Sequence, residues 1–97
     1  MIELNESQFN EGVKDGLVLV DFYTPFCGPC RALAPILEQL QDVKVVKVNV
    51  SDNPNLAVRY SFSAVPTLIF MKDGVEAARM VGMQPKEILQ KKIDELK

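Results

Sequence analysis

The chain has 97 residues, the length of one ordinary domain, and a single hydrophobic core is feasible at that size without staples. Apolar residues make up 47% and charged residues 25%, an ordinary globular balance, and eleven Lys and Arg against thirteen Asp and Glu give a formal charge of −2. With no basic block, this composition disfavours nucleic acid and anionic membrane as partners; the absence of histidine removes the usual general base near neutral pH, the commonest metal ligand and any Cys–His or Ser–His nucleophile.

The first residues, Met1-Ile2-Glu3-Leu4-Asn5-Glu6, carry early acidic groups and no long apolar stretch. No secretory signal is read there, and a cytoplasmic setting is the simplest expectation. Ile2 to Leu4 suggests a short strand. Asn5 or Ser7 is placed to cap a short helix with Phe9 and Val13 on one face, and Lys14-Asp15-Gly16 breaks that pattern. Leu17 to Tyr23 is almost continuously apolar, as expected of a central strand buried on both faces. Its most apolar run, Leu17 to Val20, is far too short to cross a bilayer.

The clearest helix runs from about Gly28 to Leu40, because Leu33, Ile36, Leu37 and Leu40 follow the i, i+3, i+4, i+7 spacing of one apolar stripe. Pro35 lies inside it and predicts a kink. Val43 to Val50 is a second long β-rich run. Ser51-Asp52-Asn53-Pro54-Asn55 is turn and capping chemistry before a short helix near Leu56 to Tyr60. Thr67 to Met71 and Val75 to Val81 flank Lys72-Asp73-Gly74 as a hairpin. The last helix spans about Pro85 to Leu96, with Pro85 in its first turn and Leu89, Ile93 and Leu96 on its inward stripe. Alternating strands and helices without repeat or linker indicate one α/β domain over residues 1–97.

Phe26-Cys27-Gly28-Pro29-Cys30-Arg31 joins the end of the buried strand to the start of the long helix. Cysteines three apart on a first helical turn bring their sulfurs within pairing reach. A helix N-terminus exposes unpaired N–H groups and partial positive charge, which stabilise a thiolate, the species that attacks a disulfide. Pro29 fits the first turn, where its missing N–H costs little, and Gly28 leaves room for another backbone to approach. This predicts Cys27 as the exposed nucleophile and Cys30 as the less exposed resolving thiol. A C-x-x-C can also be half a zinc site, but two cysteines without histidine do not complete four ligands in one chain, which leaves only a metal shared across a dimer. A purely structural bridge is poorly motivated, since so short a loop removes little unfolded-state entropy.

Val20-Asp21-Phe22-Tyr23 followed by Phe26-Cys27-Gly28-Pro29-Cys30 resembles the strand and active-site motif of the thioredoxin family. Ala34-Pro35-Ile36, Lys47-Val48-Asn49-Val50-Ser51, Asn53-Pro54, Val65-Pro66-Thr67, Lys72-Asp73-Gly74 and Val81-Gly82 match further family segments in order. The resemblance implies an α/β fold, a three-layer sandwich with a central mixed sheet of strand order 1-3-2-4-5 flanked by four helices. It implies a thiol–disulfide oxidoreductase that reduces substrate proteins through its own Cys27–Cys30 disulfide, with no bound cofactor or metal. The implied partners are disulfide-containing proteins and a thioredoxin-reductase-type electron donor, and the chain is expected to act as a monomer. Phe26 and Tyr23 stand where the family usually carries Trp, and Pro25 where an acidic or polar residue is common.

Asp21 interrupts the most apolar strand, where an ionised carboxylate is costly and burial raises the pKa; an Asp exposed near a strand end is the alternative. The resemblance makes it the buried acid beneath the cysteines and the general base for Cys30. Lys47 either tunes that acid or carries its charge to water on its long stem. Val65-Pro66 reads by itself as an ordinary trans loop, whereas the resemblance implies a cis bond facing the cysteines. Phe26, Gly28, Pro29, Val65, Pro66, Gly82 and Met83 are then the expected substrate-binding residues, with backbone near Pro66 pairing to an extended substrate segment. Net oxidation or isomerisation, and a binding module without turnover, are the alternatives to reduction.

Overall fold

A computed structural model describes residues Met1–Lys97. In chain order the elements are β1 (Ile2–Glu3), α1 (Glu6–Gly12), β2 (Leu17–Tyr23), α2 (Gly28–Leu37), β3 (Lys44–Asn49), α3 (Pro54–Arg59), β4 (Thr67–Lys72), β5 (Val75–Val81) and α4 (Lys86–Leu96). The five strands form one sheet in the order β1-β3-β2-β4-β5, as the resemblance implies. β1, β3 and β2 run parallel, and β4 and β5 are antiparallel to their neighbours.

β2 sits at the centre because its side chains are buried on both faces, and period-2 alternation sends them to two separate cores. Val18, Val20 and Phe22 join Phe9 and Val13 near α1 and Leu56 of α3 on one side. Leu19 joins Leu33 and Leu37 of α2 and Leu89 and Ile93 of α4 on the other. Each such side chain removed from water contributes about 1.5–3 kcal/mol, so the sheet is clamped from both faces.

Local chemistry sets the element ends. Asn5 caps α1 in a reciprocal pair, its side chain accepting from the Gln8 amide at 3.0 Å while Gln8 Oε1 accepts from the Asn5 amide at 3.1 Å. The β4–β5 hairpin turns through Asp73 and Gly74, both at positive φ (50° and 84°), the requirement of a type I′ turn. Asp73 also accepts from the Gly16 amide at 2.8 Å, tying the hairpin to the loop before β2.

Several boundaries differ from expectation, strand ends by a single residue and some helix ends by more. α2 ends at Leu37 and not at Leu40, because the Gln39 and Leu40 amides reach back only three residues, to Ile36 and Leu37. Leu40 still packs on the second core, but from a turn, so its apolar spacing outlasts the helix. Pro85 precedes α4 as its N-cap and does not sit in its first turn: its ψ of 151° is extended, and its carbonyl accepts from Ile88 and Leu89. α3 begins at Pro54, earlier than the stretch near Leu56.

Candidate functional site

β2 delivers the chain to a short turn at Pro25–Phe26, and α2 begins immediately after Cys27. Cys27 is the N-cap of α2, and its sulfur accepts from the Cys30 amide at 3.2 Å. A sulfur placed there faces helix N–H groups that have no intrahelical acceptor, so the position favours negative charge. Pro29 lies in the first turn. The two cysteines are joined as a disulfide with their Cα atoms 5.2 Å apart. Cys27 is half-buried, whereas Cys30 is 4% exposed and faces inward. No atom lies within 4 Å of a Cβ built on Gly28, so the approach to the bridge is open.

The loop before β4 faces the bridge. Cys27 Sγ lies 4.0 Å from the Val65 carbonyl oxygen, and the Val65–Pro66 peptide bond is cis. Pro66 is buried, and its carbonyl accepts from the Gly82 amide at 2.8 Å. Gly82 has φ +87°, a backbone region that disfavours other residues, and space around it is open. Thr67 is buried, and its hydroxyl donates to the Ala64 carbonyl at 2.6 Å, closing the loop. Val65, Pro66 and Gly82 are thus gathered near Cys27. Phe26 beside it is 94% exposed, and Met83, following Gly82, is 46% exposed.

Behind the bridge is a pocket of about 150 Å³ whose lining includes Asp21, Tyr23, Thr24, Cys30, Arg31 and Lys47. Asp21 is 3% exposed, and its Oδ1 has no hydrogen-bond partner. Burial pushes its pKa up to about 6, with the Lys47 charge opposing that rise. A pocket of this size is ample for a water molecule to link polar groups across it. Lys47 is half-buried; its ammonium lies 3.9 Å from Glu3 Oε1 and 5.6 Å above the Tyr23 ring. The Tyr23 hydroxyl donates to Glu3 Oε1 at 3.0 Å; burial and this carboxylate push the phenol up to about 12. Sequence reasoning missed Glu3, because its link to Lys47 depends on strand pairing and not on local spacing. No group of three or more His, Cys, Asp and Glu is placed to hold a metal.

Comparison with known proteins points the same way. The family model described as Thioredoxin matches residues 1–95. A thioredoxin of Chlamydia pneumoniae is 46% identical over 90 residues, covering 89% of this chain and 88% of that protein. One from Bacillus subtilis is 36% identical over 99 residues, covering 97% and 95%. Among solved structures, a mutant thioredoxin from Halobacterium salinarum superposes with a TM-score of 0.91 at 31% identity, covering 98% of this chain and 88% of that one.

Proposed function

The chain belongs to the thioredoxin family and is a thiol–disulfide oxidoreductase, and from that premise we propose which residues carry the exchange and in what order. In the reduced protein Cys27 attacks as the thiolate. Its sulfur bonds to one sulfur of a substrate disulfide and expels the other as a thiolate. Asp21, ionised, takes the Cys30 proton through water in the pocket between them. The Cys30 thiolate then attacks Cys27 Sγ, closes the Cys27–Cys30 bridge and releases the second substrate sulfur as a thiolate. Two electrons have passed to the substrate, and a thioredoxin-reductase-type donor returns them.

The observation that carries this reading is the Cys30 amide directed at Cys27 Sγ at 3.2 Å, with Cys30 itself buried one turn on. That asymmetry supports Cys27 as nucleophile and Cys30 as resolving thiol. The support for Asp21 is its unpartnered oxygen in a pocket that Cys30 also lines. Lys47, in register with Asp21, tunes that acid by its charge.

Substrate docks as an extended segment along Val65, Pro66 and Gly82, with Phe26 and Met83 as apolar flanks and Gly28 and Pro29 as the floor beside the sulfurs. Open space at Gly28 and Gly82 and the exposure of Phe26 support this groove. The protein works as a monomer in a reducing, cytoplasmic setting; both of its cysteines are in the bridge, and none is left for a structural disulfide. One sheet shared by every strand supports residues 1–97 as a single domain.

The test is to trap the intermediate. Cys30→Ser should accumulate a mixed disulfide with a disulfide-bonded protein, whereas Cys27→Ser should form none. Asp21→Asn should still form the mixed disulfide at the normal rate but release it about 100-fold or more slowly near neutral pH, the scale of a lost general base. Trapping on Cys30 in place of Cys27, or unchanged release from Asp21→Asn, refutes the corresponding assignment.

A further inference from the structure

A row of alternating charge crosses three adjacent strands. In the parallel register Glu3 of β1 lies opposite Lys47 of β3, and Lys47 lies opposite Asp21 of β2. Directly opposed residues project to the same face of a sheet, so one ammonium stands between two carboxylates. It pairs with the outer one: Lys47 Nζ is 3.9 Å from Glu3 Oε1, while Asp21 Oδ1 has no partner. Glu3 is itself held, because the same oxygen accepts from the Tyr23 hydroxyl at 3.0 Å, and the Tyr23 ring lies 5.6 Å beneath the ammonium.

The remaining groups around Asp21 do not substitute for Lys47. On β2 the nearest ionisable neighbour is Tyr23, and on β4 the residue opposite Asp21 is Leu68. α2 contributes Cys30 and Arg31, but Arg31 Nη1 donates to the Pro25 carbonyl at 3.4 Å. α4 packs Leu89 and Ile93 on this side, and Met1 also lines the pocket. Lys47 is the cation whose charge acts on Asp21, so its position sets the strength of that effect.

We propose that Glu3 is a positioning residue for disulfide exchange: anchored by Tyr23, it holds the Lys47 ammonium toward the edge of the sheet, leaving Asp21 only partly compensated and able to accept the Cys30 proton. The proposal rests on the reading of Asp21 as that proton acceptor. Glu3 touches neither sulfur nor substrate and acts only through Lys47. Its direct effect on Asp21 is small, since two strand spacings of about 4.8 Å separate them, comparable with the screening length in physiological salt.

The test uses the oxidised protein, in which neither thiol titrates. The Asp21 side-chain carboxyl is followed by carbon-13 NMR against pH in wild type, Glu3→Gln, Lys47→Gln and the double variant. Glu3 is exposed and Gln keeps its size, so folding is not at issue. Glu3→Gln frees Lys47 to turn inward, and the Asp21 midpoint should fall by about half a pH unit, the scale of a part-exposed ion pair. In the Lys47→Gln background the same change should lower it by less than half as much, the non-additivity expected of coupled groups. A midpoint unmoved by Glu3→Gln, or an equal fall in both backgrounds, overturns the shared ammonium. Release from the mixed disulfide, measured on the same variants, should shift its pH profile along with the carboxyl. A carboxyl that moves as expected while Asp21→Asn releases at the wild-type rate refutes the base assignment instead, and with it the link from Glu3 to the exchange.

Discussion

At the scale of single residues, Asp21 links mechanism to stability. Its carboxyl titrates at about 6 in the folded chain against an ordinary 3.8, because burial disfavours the ionised form. Between those values the folded state holds more protons than the unfolded one, so stability falls as pH rises from about 4 to about 6, and the full penalty stands above that range. A shift of about two units corresponds to roughly 3 kcal/mol. Asp21→Asn should therefore raise the unfolding free energy by about 2–3 kcal/mol at pH 8 and by almost nothing at pH 3, as read from urea titrations at the two pH values. Equal gains at both would mean that the gain comes from packing and not from charge. The residue that makes the protein harder to fold is the one proposed to move the resolving proton.

At the scale of elements, helix ends and helix faces make separable contributions. Asn5→Ala removes the side-chain half of the α1 capping box and should cost about 1 kcal/mol in chemical denaturation while leaving the alkylation rate of Cys27 unchanged. Leu33→Ala empties a fully buried position beneath the helix that carries the sulfurs and should cost about 2–5 kcal/mol by the same measurement. The elements themselves were largely legible in the sequence. The almost continuously apolar run from Leu17 to Tyr23 marks β2, Lys72-Asp73-Gly74 marks the hairpin, and Cys27 to Cys30 marks the strand-to-helix junction, because each signal is local. The end of α2 was not, since Leu40 keeps helical spacing while packing from a turn. Pro85 was misplaced by one position because a proline suits both a helix cap and a first turn. Glu3 was invisible for a different reason: its partner is 44 positions away, and only the parallel register brings them together.

At the scale of the whole molecule, the ion pairs lie on the surface, with partner side chains roughly a third or more exposed. Such pairs are screened by salt and contribute little. The unfolding free energy should change by less than about 1 kcal/mol between 0.05 and 1 M sodium chloride, as measured by thermal or urea unfolding; a larger loss would mean that the charged surface holds the fold. Apolar packing on both sides of the sheet carries that task. β2 and β4 are buried throughout most of their lengths, so the strands stand as a partition between two interiors. Asp21 and Cys30 belong to the α2/α4 half, and α1 lies on the opposite flank. A dye or surface linker attached at Glu11, outward on α1, is thus insulated from the sulfurs by a full layer of protein. That flank is the natural handle for mounting this chain on a support or an electrode with its electron-exchanging end left free.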